Sequence, residues 1–177
     1  KTADGKLRVA ERLYDLAVNE YGLPPTDLLF DPLTFTVCTG MEDDRKLALE
    51  TLEGIRLISE RFPDSQIILG VSNVSFGLKP AARHVLNSVF LDEAVKNGMT
   101  GAIIHVSKIK PLHKIQQDEA KTALDLIHDR RAEGYDPLQA FIALFEGRED
   151  EEARVDEGPV SIEENLHRRI VDGNRNG

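Results

Sequence analysis

The sequence predicts an α/β protein built on a parallel sheet that helices cover on both faces. Three observations predict it. Apolar runs at 27–30, 66–72 and 101–106 lack polar alternation, the pattern of strands buried on both sides. Between them, apolar residues recur at helical spacing. Gly22, Pro24-Pro25, Pro63, Pro80 and Asn97-Gly98 punctuate the boundaries. Strands alternating with amphipathic helices make βαβ units, and those make parallel sheets.

Each element follows in order. Thr2 or Asp4 is placed to cap a first helix reaching about position 21, with Val9, Leu13, Leu16 and Ala17 on one face. Gly22 and the two prolines stop it. The first strand, 27–30, ends at Asp31-Pro32, and 33–40 reads as either a strand or an ordered loop. A second helix starts at Asp43 or Asp44, carries Ala48, Leu52, Ile55, Ile58 and Phe62 on one face, and ends at Pro63. The second strand is 66–72. The third helix has Pro80 in its first turn and an apolar face of Val85, Leu86, Val89, Phe90 and Ala94. The third strand is 101–106, and helical segments follow at 116–133 and 137–145. The stretch 146–158 is strongly acidic and reads as a solvated linker. Positions 162–171 form one short amphipathic helix; alone, about ten residues are marginal in water, so it needs something to pack on.

Composition narrows the function. The chain has 177 residues, 41% hydrophobic and 30% charged, an ordinary globular mixture. A net charge of −9 argues against a nucleic-acid partner, which demands a basic face. No apolar run approaches the roughly 20 residues of a membrane span. One cysteine, Cys38, cannot form an internal disulfide, which fits a reducing cytoplasm; it reads as a small apolar residue. The five histidines show no metal-ligand spacing, so no metal site is expected. Lys1 rather than Met opens the chain, as expected of a piece of a longer polypeptide.

The octet Gly70-Val71-Ser72-Asn73-Val74-Ser75-Phe76-Gly77 follows the second strand. In α/β proteins ligands bind at the carboxyl ends of strands. An amide, hydroxyls, a ring and glycines there suit a flat polar heterocycle, although a turn also favours Ser, Asn and Gly. Asp31 reads either as an Asx turn before Pro32 or as an acceptor for paired N–H donors. Asn73 reads as a turn cap or as a donor and acceptor for a ring nitrogen. Gly70 allows close approach of a ring. Ser72 and Ser75 are weaker candidates. Phe76 reads as a stacking ring or a core plug, Arg83 as a pocket contact or a surface charge, and His105 as a pocket residue or a strand cap.

The octet, with Leu28-Leu29-Phe30-Asp31-Pro32 before it and Asn97-Gly98-Met99-Thr100-Gly101-Ala102-Ile103-Ile104 after it, resembles the pterin-binding domain of cobalamin-dependent methionine synthase. Order and spacing are kept over about 3–145, and 159–173 resembles the start of the helical cap domain of that family. The resemblance implies the C-terminal part, about three βα units, of a TIM (β/α)8 barrel. A whole barrel takes about 250 residues, so the chain cannot hold one. The implied organisation is a partial pterin-binding barrel at 1–145, the acidic linker at 146–158, and the start of a cobalamin cap at 159–177.

The implied activity is binding of 5-methyltetrahydrofolate and transfer of its N5-methyl group to cob(I)alamin. The implied partners are a cobalamin-binding domain of the same polypeptide and the N-terminal part of the barrel. By the same resemblance Asn73 is the catalytic residue, following proton uptake at N5. Asp31 contacts the pterin, with Gly70, Ser72, Ser75, Phe76, Arg83 and His105 as further substrate-binding positions. His105 departs from the amide or carboxylate usual there. Two alternatives stand beside this reading. One is a dihydropteroate synthase-like enzyme, disfavoured because Ser72-Asn73-Val74-Ser75 lacks that family's Arg and Lys. The other is a non-catalytic interaction fragment.

Overall fold

The structure is a computed structural model that describes residues 1–148. Most of the expected acidic linker, and the helix expected at 162–171 with His167, lie outside the described residues.

Three parallel strands form a sheet in the order β1 (Leu29–Phe30), β2 (Gln66–Gly70), β3 (Gly101–Ile103). Phe30 pairs with Ile67, and Ile68, Leu69 and Gly70 pair with Gly101, Ala102 and Ile103. Thr100 fixes the second register: its Oγ1 accepts from Ile67 N–H at 2.9 Å and donates to Ile67 C=O at 3.1 Å. Five α-helices accompany the sheet among the described residues: α1 (Ala3–Tyr14), α2 (Leu47–Arg61), α3 (Pro80–Lys96), α4 (Gln117–Ile127) and α5 (Pro137–Leu144).

The sheet has two unlike faces because side chains alternate along a strand. Phe30, Ile67 and Leu69 point to the helices and are buried. Leu29, Ile68 and Ile103 share the opposite face, where Leu29 is 56% and Ile103 62% exposed. Cover on both faces, as continuous apolar strands predict, is therefore absent among the described residues. An open inner face and a helix-covered outer face are what a segment of (β/α) barrel wall presents. The chain is α/β, with the architecture of part of a (β/α) barrel.

The helices follow their sequence signals, with informative departures. Thr2 caps α1 by accepting from Gly5 N–H, and Glu50 accepts from Ala3 N–H at 2.6 Å. The helix continues as a π-helical turn over Asp15–Glu20 and stops at Gly22, whose φ is +72°. α1 meets α2 through Ala3, Ala10 and Tyr14, whose ring stacks on Phe62 at 4.4 Å. The stripe of Val9, Leu13 and Leu16 faces outward. The segment after Pro32 is a loop, not a strand: Leu33 has φ +62° and Gly40 φ +77°, which break any ladder. Helix α2 starts later than expected, because Glu42–Asp44 forms a 3-10 turn first. Helix α4 stops at Ile127 rather than near 133, since Asp129 turns to φ +50° and Gly134 to +73° around an Ala132–Tyr135 bridge. Asp136 caps α5 and forms a bidentate ion pair with Arg45, at 2.8 and 2.7 Å, joining it to the approach to α2.

Candidate functional site

Both expected strand ends are shorter than the sequence suggested. β2 ends at Gly70, and Val71–Ser75 coils into a 3-10 turn. β3 ends at Ile103, and Val106–Lys108 forms another. Asn73 therefore sits within a tight turn at the carboxyl rim of the sheet.

That turn is braced. Ser75 is fully buried. Its Oγ donates to Ser72 C=O at 3.2 Å and accepts from Arg83 Nε at 3.1 Å. Arg83 Nη2 also donates to Ser72 C=O, at 3.2 Å. Arg83, in the first turn of α3, is thus neither a bare surface charge nor wholly a pocket group: two of its nitrogens hold the turn. Ser75 is likewise structural, with its hydroxyl turned inward. Ser72 and Asn73 are exposed, and the Asn73 amide makes no hydrogen bond among the described residues. A Cβ on Gly70 would lie 3.4 Å from Asn73 Nδ2, so the amide folds back over that glycine. Gly70 has φ −78°, so its role is space rather than an unusual backbone.

Asp31 leaves β1 on the same rim. Its Oδ1 accepts from Leu33 N–H at 2.9 Å, an Asx turn that helps Leu33 hold its positive φ. The turn reading of Asp31 is therefore correct, and it still leaves Oδ2 without a hydrogen bond among the described residues. Lys6 secures the same loop, donating to Pro32 C=O and, at 2.9 Å, to Leu33 C=O. Burial pushes its ammonium pKa down, while Asp31 and Glu50 oppose the shift. To get there, the Lys6 stem crosses α2 at Gly54, where a Cβ would lie 2.7 Å from Lys6 Cδ. Lys6 was missed by sequence reasoning, because a lysine on an amphipathic helix looks like any solvated charge.

Thr36 was missed too. Its Oγ1 donates to Phe76 C=O at 2.8 Å, while Val37 N–H donates to Val74 C=O at 3.2 Å. These bonds join the Asp31 loop to the Asn73 turn. The Phe76 ring is 69% exposed, so it is not a core plug. Cys38 lies beneath, its Sγ 3.5 Å from Val74 C=O, and burial pushes its thiol up to about 11. The neutral thiol is the form present at neutral pH. His105 is exposed after β3, with Nδ1 2.9 Å from Ser107 Oγ.

The rim thus brings an exposed carboxylate oxygen, an exposed amide and an exposed ring onto two joined loops. Such a surface can hydrogen-bond the edge of a flat heterocycle and leave one side open. No cluster of three or more His, Cys, Asp or Glu groups able to hold a metal occurs among the described residues. No helix among them is long and apolar enough to cross a membrane.

A family model described as pterin binding enzyme matches residues 1–105. The methionine synthase of Mycobacterium tuberculosis (strain ATCC 25618 / H37Rv) is 48% identical over 183 aligned positions, which cover 100% of this chain and 15% of that protein. The methionine synthase of Mycobacterium leprae (strain TN) is 46% identical over the same extent of both chains. The chain thus spans 15% of the length of the curated relatives it matches. A match over more than half of the chain shows that this chain belongs to the pterin-binding enzyme family.

Proposed function

We propose that this chain binds 5-methyltetrahydrofolate and positions its N5-methyl group for transfer to cob(I)alamin in methionine synthesis. The observation that carries the reading is the braced turn that holds Asn73 exposed and is hydrogen-bonded to the loop carrying Asp31. The names of the Mycobacterium relatives, methionine synthase, support the part of the reading that concerns methionine synthesis.

On this reading Asp31 faces the adjacent N–H and NH₂ donors of the pterin. Oδ2 is open, and Oδ1 keeps a second lone pair after serving Leu33. Asn73 faces N5. A tertiary amine is a poor leaving group until it becomes cationic. An amide bond that strengthens as N5 takes its proton stabilises the transition state above the ground state. The Arg83–Ser75–Ser72 brace fixes that amide before substrate arrives, which is what orientation requires. Gly70, Phe76 and His105 complete the rim around the ring and its substituents.

Cobalamin, held by a neighbouring domain of the same polypeptide, supplies the nucleophile when bound. The exposure of Ser72, Asn73 and Phe76 fits that arrangement, since a methyl group held there faces outward. The remaining barrel strands, from the N-terminal part of the polypeptide, cover the face of Leu29, Ile68 and Ile103. The domain division at 145 and 158 belongs to the same proposal. Calorimetric titration of the full polypeptide with 5-methyltetrahydrofolate tests it. Saturable binding is expected; no binding would return the chain to the interaction-fragment alternative.

A further inference from the structure

Leu33 is a strained residue on the rim. Its φ of +62° lies in the left-handed region, which bulky side chains avoid. Its side chain is 55% exposed, so packing does not hold it there. Hydrogen bonds do, from both ends of the residue. Asp31 Oδ1 accepts from Leu33 N–H at 2.9 Å, while Lys6 Nζ donates to Leu33 C=O at 2.9 Å and to Pro32 C=O. Lys6 reaches the loop from α1, and its stem passes the buried Gly54 of α2. A Cβ at Gly54 would lie 2.7 Å from Lys6 Cδ and 3.5 Å from Lys6 Cβ. The ammonium also stands 5.3 Å from the centroid of the Phe35 ring. With its head bound to two carbonyls, the stem cannot swing away from position 54 without releasing the loop. Strained backbone that its surroundings over-determine is a recurring feature of ligand clamps.

We infer that Lys6 is a positioning residue for pterin recognition: it holds the Asp31 loop in the shape that presents the open carboxylate oxygen, and Gly54 is the gap through which it reaches. The inference rests on the folate reading above. Without the ammonium, the Asx bond from Asp31 opposes the left-handed penalty at Leu33 with less help. The loop then spends part of its time with Leu33 extended and Asp31 displaced from the rim. Lys6 acts through Asp31 rather than on the substrate, since its ammonium is engaged by backbone carbonyls. Gly54 acts one step further back, by leaving room for the stem.

The test is equilibrium binding of 5-methyltetrahydrofolate to the full polypeptide, with a thermal melt of each variant. Lys6→Met keeps the stem and removes the donor. It is expected to weaken binding by about three- to tenfold, as when the competent loop falls to roughly a third to a tenth of the population. Lys6→Arg, which can donate to both carbonyls, is expected to restore most of that affinity. Gly54→Ala favours a helix in itself. It is expected to weaken binding in the wild-type background and to leave it unchanged in a Lys6→Ala background, where no stem stands in the way. In an Asp31→Asn background, Lys6→Met is expected to cost little further affinity. Wild-type affinity in Lys6→Met, whatever its melt, refutes the positioning role while the folate reading stands. So does an equal loss from Lys6→Met with and without Asp31→Asn. Absence of binding by the wild type overturns the folate reading and this inference with it.

Discussion

Replacing Asn73 by Ala separates chemistry from binding and from folding. The Asn73 side chain is exposed and makes no hydrogen bond among the described residues; its backbone C=O accepts from Phe76 N–H at 3.2 Å. Removing the amide therefore leaves the turn's own bonds intact. A surface change of that kind stays within about 0.5 kcal/mol of wild-type stability. The loss falls on the reaction. Removing one donor or acceptor aimed at developing charge costs about 2.7–4 kcal/mol, or roughly 10²–10³ in rate. Folate affinity is expected to change much less, because neutral N5 in the ground state gains little from the amide. The assay is single-turnover methyl transfer in the full polypeptide at saturating 5-methyltetrahydrofolate, alongside equilibrium folate binding and a thermal melt. Equal losses in rate and affinity, or a loss of affinity alone, would refute the catalytic assignment.

Other substitutions probe the rest of the structure. Asp31→Asn keeps an acceptor for Leu33 N–H but puts an NH₂ before the pterin's donors; titration is expected to show folate binding weaker by about 1–3 kcal/mol, and wild-type affinity would leave Asp31 with its turn role only. Ser75→Ala removes the buried hydroxyl between Arg83 and Ser72, and urea titration is expected to show a loss of about 1–2 kcal/mol. The Arg45 hydrogen bond, aided by the cap bonds from Gln139 and Leu138, lowers Asp136 from 3.8 to about 2. The folded carboxyl is the stronger acid, so its contribution is complete above about pH 4 and is lost as pH falls through about 2. Asp136→Asn is expected to cost about 1–2 kcal/mol at neutral pH after allowing for its partial exposure, and the gap from wild type should close in acid; a gap independent of pH would contradict the ion-pair account. The 177-residue chain by itself is expected to associate in light scattering, because Leu29 and Ile103 on the sheet and Val9 and Leu13 on α1 are exposed; a cooperatively melting monomer would contradict this.

Element type was legible in the sequence, and facing was less so. Pro80, Asn97-Gly98 and Pro63 marked helix ends that the structure keeps, because capping and backbone restriction are local. The stripe of Val9, Leu13 and Leu16 correctly announced a helix. Periodicity names a face without saying what covers it, and here that face looks outward. In β2 the continuous apolar run does not say which face Ile67 and Leu69 take. Alternation turns both to the helices, and it is Ile68 that shares the open face with Leu29 and Ile103. At the rim, Asn73 and Asp31 were legible as residue types in the right loops. The brace was not, since Arg83 reaches Ser72 across 11 positions and Thr36 reaches Phe76 across 40. Bonds at that separation depend on the fold and leave no pattern in the sequence.

The bonds from Thr36 and Val37 to Phe76 and Val74 make one mechanical unit of two loops that come from different βα units. A displacement of the Asp31 loop is transmitted to the turn that presents Asn73. On the proposed folate reading, recognition at one edge of the ring and proton tracking at N5 are then not independent events. In a double-mutant cycle, Asp31→Asn and Asn73→Ala should depart from additivity by about 0.5–3 kcal/mol, the range for coupled neighbours. Thr36→Val, which removes one of the two bonds and touches neither partner, should bring the two losses closer to a simple sum. The joined loops would thereby make the choice of ring and the rate of its demethylation a single property of the rim.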